Sequence, residues 1–371
     1  MNDTPSIVLP PDLLPRDGRF GSGPSRVAVD ALSDLAATAT SYMGTSHRQP
    51  TVKRVVADIR SGLGELYGLD GGYEVVLGLG GATAFWDVAA FGLIADASVH
   101  YVCGEFSAKF ADVASRAPHL GAPTLVSADP GSAPIPTDPG EADVAAFIHN
   151  ETSTGVLAPF ERIGEALVVV DATSAAGAIE IDVADVDVYY FSPQKAFGSE
   201  GGLWVALMSP AAIARVGEIA ASGRWIPAFL SLQGAIDNSR KDQTYNTPAL
   251  ATLYLLERQV RSVIANGGLR WAQDRSSTSS NHLYRWAEAS SFAEPFVTDR
   301  RFRSPTVVTI DLDASIDAVT VSGHLRTNGI VDTESYRKLG RNQLRIASFP
   351  TIPTEDIEAL TSCIDFIVEA M

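Results

Sequence analysis

The chain contains five lysines, Lys53, Lys109, Lys195, Lys241 and Lys338, so the search for one able to form an imine is short. Lys195 stands apart by context. It follows the apolar run Val186 to Phe191 through Ser192-Pro193-Gln194 and precedes Ala196-Phe197-Gly198-Ser199-Glu200-Gly201-Gly202. A lysine among small residues at a strand end can lose enough solvent to lower its pKa, as imine chemistry requires. Taken alone, a loop lysine is more often simply solvated. A second group shifts that balance: Val168-Val169-Val170-Asp171-Ala172-Thr173 ends an apolar run on a carboxylate twenty-four residues earlier. Ligands of open parallel sheets bind at the carboxyl ends of the strands. An aspartate there can pair with a protonated pyridine nitrogen while the lysine holds an aldehyde, which makes the ring an electron sink. From its local sequence Asp171 reads equally well as the cap of a following helix.

A third feature is the small-residue turn Gly78-Leu79-Gly80-Gly81-Ala82-Thr83-Ala84-Phe85, which leads into a helical stretch carrying Trp86 and Phe91. Such a turn presents backbone N–H groups to a phosphate at a helix N-terminus. As a dinucleotide fingerprint it is poor, because the last glycine of the motif would fall on Thr83. Combined with Asp171 and Lys195 in one sheet, the turn gains weight.

The elements that must position these groups alternate from residue 74 onward. Short β-rich runs at Glu74 to Leu77, Val99 to Cys103, Thr124 to Ser127, Val144 to His149, Leu167 to Val170, Val186 to Phe191 and Leu203 to Met208 are separated by helical stretches. That rhythm predicts an α/β fold with a mostly parallel seven-stranded sheet. The Pro- and Gly-rich stretch Asp129 to Gly140 reads as a surface connection. Beyond about residue 250 the pattern turns helical, then gives strands at Thr306 to Leu312 and Gln343 to Ser348 with a helix between them, and a last helix from Thr354. We therefore expect a large domain over residues 46–260 and a smaller α+β domain over 261–371. The Pro- and Gly-rich segment 1–45 is expected to bridge the two or pack on the smaller one. The polar run Ser276 to Ser280 lies inside a helical pattern and carries no chemistry of its own.

Composition limits the partners. The 371 residues are 46% hydrophobic and 19% charged, enough apolar material for a large core. A formal charge of −16 opposes the basic surface that nucleic-acid binding needs, so an anionic ligand must be held by local groups. Two distant cysteines, Cys103 and Cys363, form no CxxC pair and fit a reducing compartment. No apolar run reaches membrane-spanning length and no export signal is evident, so the expectation is a cytoplasmic protein without membrane partners.

With these residues in place the sequence resembles the phosphoserine aminotransferases of actinobacterial type, a branch of the class-V, fold-type-I pyridoxal-phosphate (PLP) enzymes. The resemblance spans nearly the whole chain. It is carried by Arg19-Phe20-Gly21-Ser22-Gly23-Pro24-Ser25, Gly44-Thr45-Ser46-His47-Arg48, Gly80-Gly81-Ala82-Thr83, Gly104-Glu105-Phe106-Ser107, His149-Asn150-Glu151-Thr152-Ser153-Thr154-Gly155, Asp171-Ala172-Thr173-Ser174, Ser192-Pro193-Gln194-Lys195, Thr244-Tyr245-Asn246-Thr247-Pro248 and Gln343-Leu344-Arg345. It implies an aspartate-aminotransferase-like fold and transfer of an amino group between glutamate and 3-phosphohydroxypyruvate, in serine biosynthesis and, in bacteria, pyridoxine biosynthesis as well. By match of motif, Lys195 would hold the cofactor covalently and Asp171 would face its ring nitrogen. Gly81, Ala82, Thr152, Thr173 and Gln194 would contact it. Asn246 and Thr247 would reach its phosphate from a neighbouring subunit, which implies a homodimer with shared sites. Phe106 stands where many relatives stack a tryptophan on the ring, and a phenyl face can still stack. Around Tyr336-Arg337-Lys338-Leu339-Gly340-Arg341 the spacing departs from better-known relatives, which leaves open which of Arg337, Lys338 and Arg341 meets substrate.

The charges of such substrates need two separated cationic clusters. Arg345 on a strand suits the carboxylate beside the reacting carbon, as a planar bidentate partner. His47 and Arg48, in a polar turn before Pro50, suit the distal anion. Without the family, a strand-edge ion pair and a solvated loop would be the commoner explanations of these residues. The alternatives within the class are an alanine:glyoxylate-type aminotransferase, against which the His47-Arg48 turn argues, and a catalytically silent PLP-fold binding protein. A cysteine desulfurase would need a cysteine on a mobile loop, and neither cysteine sits in one. A nucleotide-binding oxidoreductase would have to rely on the Gly78 to Gly81 turn alone.

Overall fold

The computed structural model describes residues 7–371; the first six residues of the N-terminal segment 1–45 lie outside the described residues. After a short helix α1 (Val29–Ala37) comes α2 (Pro50–Leu66), which starts on a proline at its first position and buries Val52, Val56, Ile59 and Leu63 along one face. Proline there costs nothing, since its missing N–H would have had no helical partner.

The chain then lays down β1 (Glu74–Leu79), α3 (Gly81–Gly92), β2 (Ser98–Val102), α4 (Glu105–Arg116), β3 (Thr124–Ser127) and β4 (Val144–Ile148). A two-stranded hairpin of β5 (Asn150–Glu151) and β6 (Val156–Leu157) follows directly on β4. Next come β7 (Leu167–Asp171), β8 (Val188–Phe191) and β9 (Leu203–Met208). The large sheet has the order β1-β9-β8-β7-β4-β2-β3, with β9 antiparallel to both of its neighbours and the other pairings parallel.

Its central strands are apolar throughout, apart from Asp171 at the end of β7, because both faces are covered. Val168 and Val170 of β7 pack into one core cluster while Leu167 and Val169 pack into the other, and β8 divides the same way, Tyr189 and Phe191 against Val188 and Tyr190. This is the pattern of a parallel sheet between two helical layers. Each of the seven expected strands is present, with ends differing by at most two residues.

Helices α5 (Pro210–Ala221), α6 (Leu232–Ser239), α7 (Leu250–Ala265) and α8 (Gly268–Ala289) lead to a three-stranded antiparallel sheet of β10 (Ala293–Pro295), β11 (Val307–Leu312) and β12 (Gln343–Ala347). Helices α9 (Ala318–Thr327) and α10 (Thr354–Ala370) complete this part. Ser276, Ser279 and Ser280 are buried on α8, and Ser279 Oγ lies 2.9 Å from Thr354 Oγ1 at the start of α10. The serine run thus gives α8 a compact packing face.

The N-terminal segment hydrogen-bonds to β12 and to the loop before Lys195. Phe20 is fully buried; its N–H donates to the Val331 carbonyl and its own carbonyl accepts from Ala347 N–H. A few residues on, Ser25 N–H donates to the carbonyl of Gln194, beside Lys195. Among the described residues no helix is long and apolar enough to cross a membrane.

Candidate active site

The carboxyl ends of the parallel strands gather the candidate residues. Register pairs Ile148 with Asp171 and Asp171 with Tyr190, so β4, β7 and β8 end in one row. Next to that row lies a cavity of about 380 Å³. Gly81, Ala82, Phe106, Thr152, Asp171, Thr173, Gln194 and Lys195 all line it. Eight residues singled out in the sequence, from five separate stretches, therefore meet around one space.

Asp171 is buried and accepts from Trp86 Nε1 at 3.2 Å and Tyr190 Oη at 3.1 Å on Oδ2, and from Thr173 N–H at 2.9 Å on Oδ1. Lys195 donates from Nζ to the Ser22 carbonyl. The chain passes so close that a Cβ on Gly23 would fall 2.1 Å from Nζ, and Gly23 has φ of +151°; only glycine fits. Burial pulls the Lys195 amine down to about 8, helped by the positive charge of Arg345 and opposed by Asp171 and Glu151. An amine so shifted has a sizeable neutral fraction near neutral pH, the form able to attack a carbonyl.

At the other end of the cavity α3 begins on Gly80 and Gly81, both with positive φ, and its first turn offers N–H groups with no helical partner. The phenyl ring of Phe106 forms a further wall, its centroid 5.8 Å from Lys195 Nζ.

Glu151, to which the sequence reading gave no role, is fully buried behind this wall. Its Oε2 accepts from the N–H groups of Phe106 and Ser107 and from Ser107 Oγ at 3.0–3.1 Å, and its Oε1 from Ser153 N–H at 3.1 Å and Ser153 Oγ at 2.6 Å. Burial raises its pKa while these bonds pull the other way. The carboxylate ties the start of α4, hence Phe106, to the hairpin carrying Thr152.

Arg345, on β12, reaches across from the small sheet. Its Nη1 donates to the Thr152 carbonyl at 3.2 Å, its guanidinium lies 5.4 Å from the Tyr336 ring centroid, and its buried Nε has no partner. Burial lowers its pKa, and Tyr336, Glu151 and Glu334 oppose that shift.

The remaining candidates fall elsewhere. His47, Arg48, Asn246 and Thr247 do not line the cavity but share one surface patch: His47 Nδ1 is 3.3 Å from Thr247 Oγ1, and Arg48 Nη1 donates to Gln243 Oε1 at 3.3 Å. Burial, then Arg48, lowers the His47 pKa. Two of the three cations left open in the sequence are engaged: Lys338 pairs with Glu105, and Arg341 forks onto Asp311 while its guanidinium lies 4.5 Å from the Phe296 ring centroid. Arg337 is exposed on a 3₁₀ turn and has no partner among the described residues.

The cavity suits a phosphorylated pyridine aldehyde. Thr173 Oγ1, Gln194 Oε1 and Asn150 Oδ1 line it as buried polar atoms without partners, and such atoms are costly unless a ligand meets them. A helix N-terminus for an anion, a carboxylate for a ring nitrogen and an amine of lowered pKa complete the donor set. Fold and site together define a transaminase of the PLP-dependent, fold-type-I class. The family model for class-V aminotransferases matches residues 139–333. The chain is 58% identical to the phosphoserine aminotransferase of Rhodococcus jostii (strain RHA1) and 57% identical to that of Rhodococcus opacus (strain B4), each alignment covering 100% of both chains. The chain belongs to the phosphoserine aminotransferases of the class-V aminotransferase family.

Solved structures share the fold at lower identity. A phosphoserine aminotransferase from Cytophaga hutchinsonii superposes with a TM-score of 0.88 at 24% identity, covering 94% of this chain and 98% of that one. An alanine–glyoxylate aminotransferase from Nostoc sp. gives 0.79 at 21% identity and 99% of both. Two differently named enzymes on one scaffold leave substrate choice to the site.

Proposed function

We propose that the chain transfers the amino group between L-glutamate and 3-phosphohydroxypyruvate, giving O-phospho-L-serine and 2-oxoglutarate. The observation that carries this reading is Arg345, a guanidinium with an unpartnered buried Nε beside Thr152 and Lys195, which supplies a bidentate seat for the carboxylate both substrates share. PLP, when bound, carries the amino group and draws electron density from the carbon that loses its proton.

The chain's own residues do the rest. Lys195 anchors the cofactor and, with its amine held near neutrality, accepts and returns the proton at Nζ. Asp171 would pair with the ring nitrogen. The α3 N-terminus at Gly81 and Ala82 would hold the phosphate, Thr173 and Gln194 would meet polar groups of the cofactor, and Phe106 and Thr152 would contact its ring.

The distal anion needs a second cationic group, and we assign it to His47 and Arg48 of a partner subunit, with Asn246 and Thr247 of the same patch reaching the partner's cofactor phosphate. The exposure of Arg48, Asn246 and Thr247, the unpartnered buried Nε2 of His47, and their clustering outside the lining of the chain's own cavity support a homodimer in which each copy completes the other's site. Of the three cations near residue 340, Arg337 is our assignment for substrate contact, because the other two are already paired. Two buried free cysteines support a reducing, cytoplasmic setting.

The test is a half-reaction. O-phosphoserine added to the yellow holoenzyme should bleach the cofactor's long-wavelength band, whereas serine and alanine at equal concentration should do so far more slowly. Equal rates for all three would remove the distal-anion assignment and leave a general aminotransferase.

A further inference from the structure

Asp171 receives three hydrogen bonds from the protein, and none comes from a cation. Trp86 Nε1 and Tyr190 Oη both donate to Oδ2, at 3.2 and 3.1 Å, and the Thr173 N–H donates to Oδ1 at 2.9 Å. An indole N–H can only donate, so the oxygen it meets must act as an acceptor. We propose that Trp86 and Tyr190 are positioning residues that aim the Asp171 carboxylate at the cofactor's ring nitrogen and leave its charge free to meet the ring proton. This inference rests on the assignment of Asp171 made above.

Three observations support it. First, the donors are neutral. An arginine or lysine would orient the carboxylate equally well but would neutralise it, and the ring nitrogen would face a weaker counter-charge. Neutral donors fix the direction and keep the charge.

Second, lone pairs can be counted. A carboxylate oxygen has two acceptor directions. Both on Oδ2 are taken by Trp86 and Tyr190, whereas Oδ1 has one taken by Thr173 N–H and one to offer.

Third, both donors are clamped. Tyr190 is fully buried, stacked on Phe85 at a centroid distance of 4.2 Å with Phe110 edge-on at 6.3 Å, so its hydroxyl cannot swing away. Burial and the nearby Asp171 charge also push the phenol well above its ordinary pKa, so it stays a donor. Trp86 is 4% exposed and sits on α3, whose first turn lines the cavity at Gly81 and Ala82. One helix thereby fixes both the phosphate contact and one donor to Asp171.

The experiment uses holoenzyme rebuilt with PLP carrying ¹⁵N in its ring. Tyr190→Phe, Trp86→Phe, the double variant and Asp171→Asn are compared by ring-nitrogen chemical shift, cofactor dissociation constant and steady-state kinetics. Each single variant should lower kcat with O-phosphoserine by roughly tenfold with KM little changed, the expected loss of one hydrogen bond to a charged group. The ring-nitrogen signal should move part way from its wild-type position toward that of Asp171→Asn, and further in the double variant. A merely structural loss would weaken cofactor binding without moving that signal. Should Trp86→Phe fail to fold, Tyr190→Phe carries the test alone, since it removes a single oxygen from an otherwise filled site.

Wild-type signals in both single variants and in the double, with a displaced signal in Asp171→Asn, would overturn the positioning role. An undisplaced signal in Asp171→Asn would overturn the assignment of Asp171 itself, and this inference with it.

Discussion

The cavity around Lys195 and the surface patch around Arg48 both hold groups suited to an anionic substrate, yet they are built differently. In and behind the cavity most polar side chains are buried or half-buried, and each strongly charged group is held in place: Glu151 by five hydrogen bonds, Asp171 by three, Lys195 by the Ser22 carbonyl. In the patch Arg48, Asn246 and Thr247 are exposed, and the Arg48 side chain makes a single long hydrogen bond, to Gln243. Groups that shift proton equilibria must be desolvated and rigid, because burial supplies the shift. Groups that select among substrates can lie on a surface until another surface covers them. On the proposed reading, the chemistry is assembled within one chain, while discrimination waits for a second.

The widest separation should come from Lys195→Ala. No other lysine lines the cavity, so the variant should lose transamination altogether and lose the long-wavelength absorption of the bound cofactor, while phosphate contacts at α3 retain some cofactor. An unchanged spectrum would break the assignment. Asp171→Asn comes next. An amide cannot balance a protonated ring nitrogen, so proton abstraction in a single turnover should slow by roughly a hundredfold or more while cofactor still binds. Abstraction at the wild-type rate would reduce Asp171 to a cap for the turn at Thr173.

The patch should show a smaller and more selective loss. Arg48→Ala should lower kcat/KM for O-phosphoserine by roughly ten- to hundredfold, the usual cost of one charge-assisted partner, and leave alanine nearly untouched. Equal proportional losses would break the comparison. Mixing sharpens it: when Lys195→Ala and Arg48→Ala subunits are unfolded together and refolded, a shared site predicts one intact centre in each mixed dimer, or about a quarter of all sites at equal mixing of a symmetric dimer. If Arg48 served its own chain, no intact centre would form and activity would not recover.

Much of this was legible in the sequence, for identifiable reasons. Strands buried on both faces leave short, nearly unbroken apolar runs, and Val168-Val169-Val170 or Val188-Tyr189-Tyr190-Phe191 can be read directly. The scarcity of lysines isolated Lys195. What escaped depends on contacts distant in sequence. Trp86 reads as one more aromatic on an apolar helix; its partner Asp171 lies 85 residues away. Glu151 sits within a recognised motif, but nothing local reveals that it holds the start of α4, 45 residues earlier in the chain. The choice among Arg337, Lys338 and Arg341 turns on Glu105 and Asp311, which lie 233 and 30 residues away from Lys338 and Arg341. The hairpin of β5 and β6 and the three-residue β10 were too short to leave a periodic trace.

The smallest expected effect concerns stability, and it tests the same contrast without any catalysis. In the cofactor-free protein the Lys195 amine falls from its ordinary 10.5 to about 8. Between those values the unfolded chain still holds a proton that the folded chain has released, so unfolding free energy rises with pH across this window. The cost of burying a charged amine is therefore fully present below about pH 8 and gone above about 10.5. For a shift of this size the cost is at most about 3 kcal/mol, reduced by the hydrogen bond to Ser22 and by the lysine's partial contact with solvent. Replacing it with the near-isosteric Met should raise the melting temperature of the cofactor-free protein by a few degrees at pH 7, and the gain should fade as pH approaches 10.5. Arg48→Ala should leave melting unchanged at both pH values, since an exposed arginine with one weak contact contributes little. Calorimetry of the two variants and the parent at pH 7 and pH 10 decides it. A Lys195→Met gain that is the same at both pH values would come from packing rather than charge, and the amine would then not be the strained, desolvated group that sets the cavity apart from the patch.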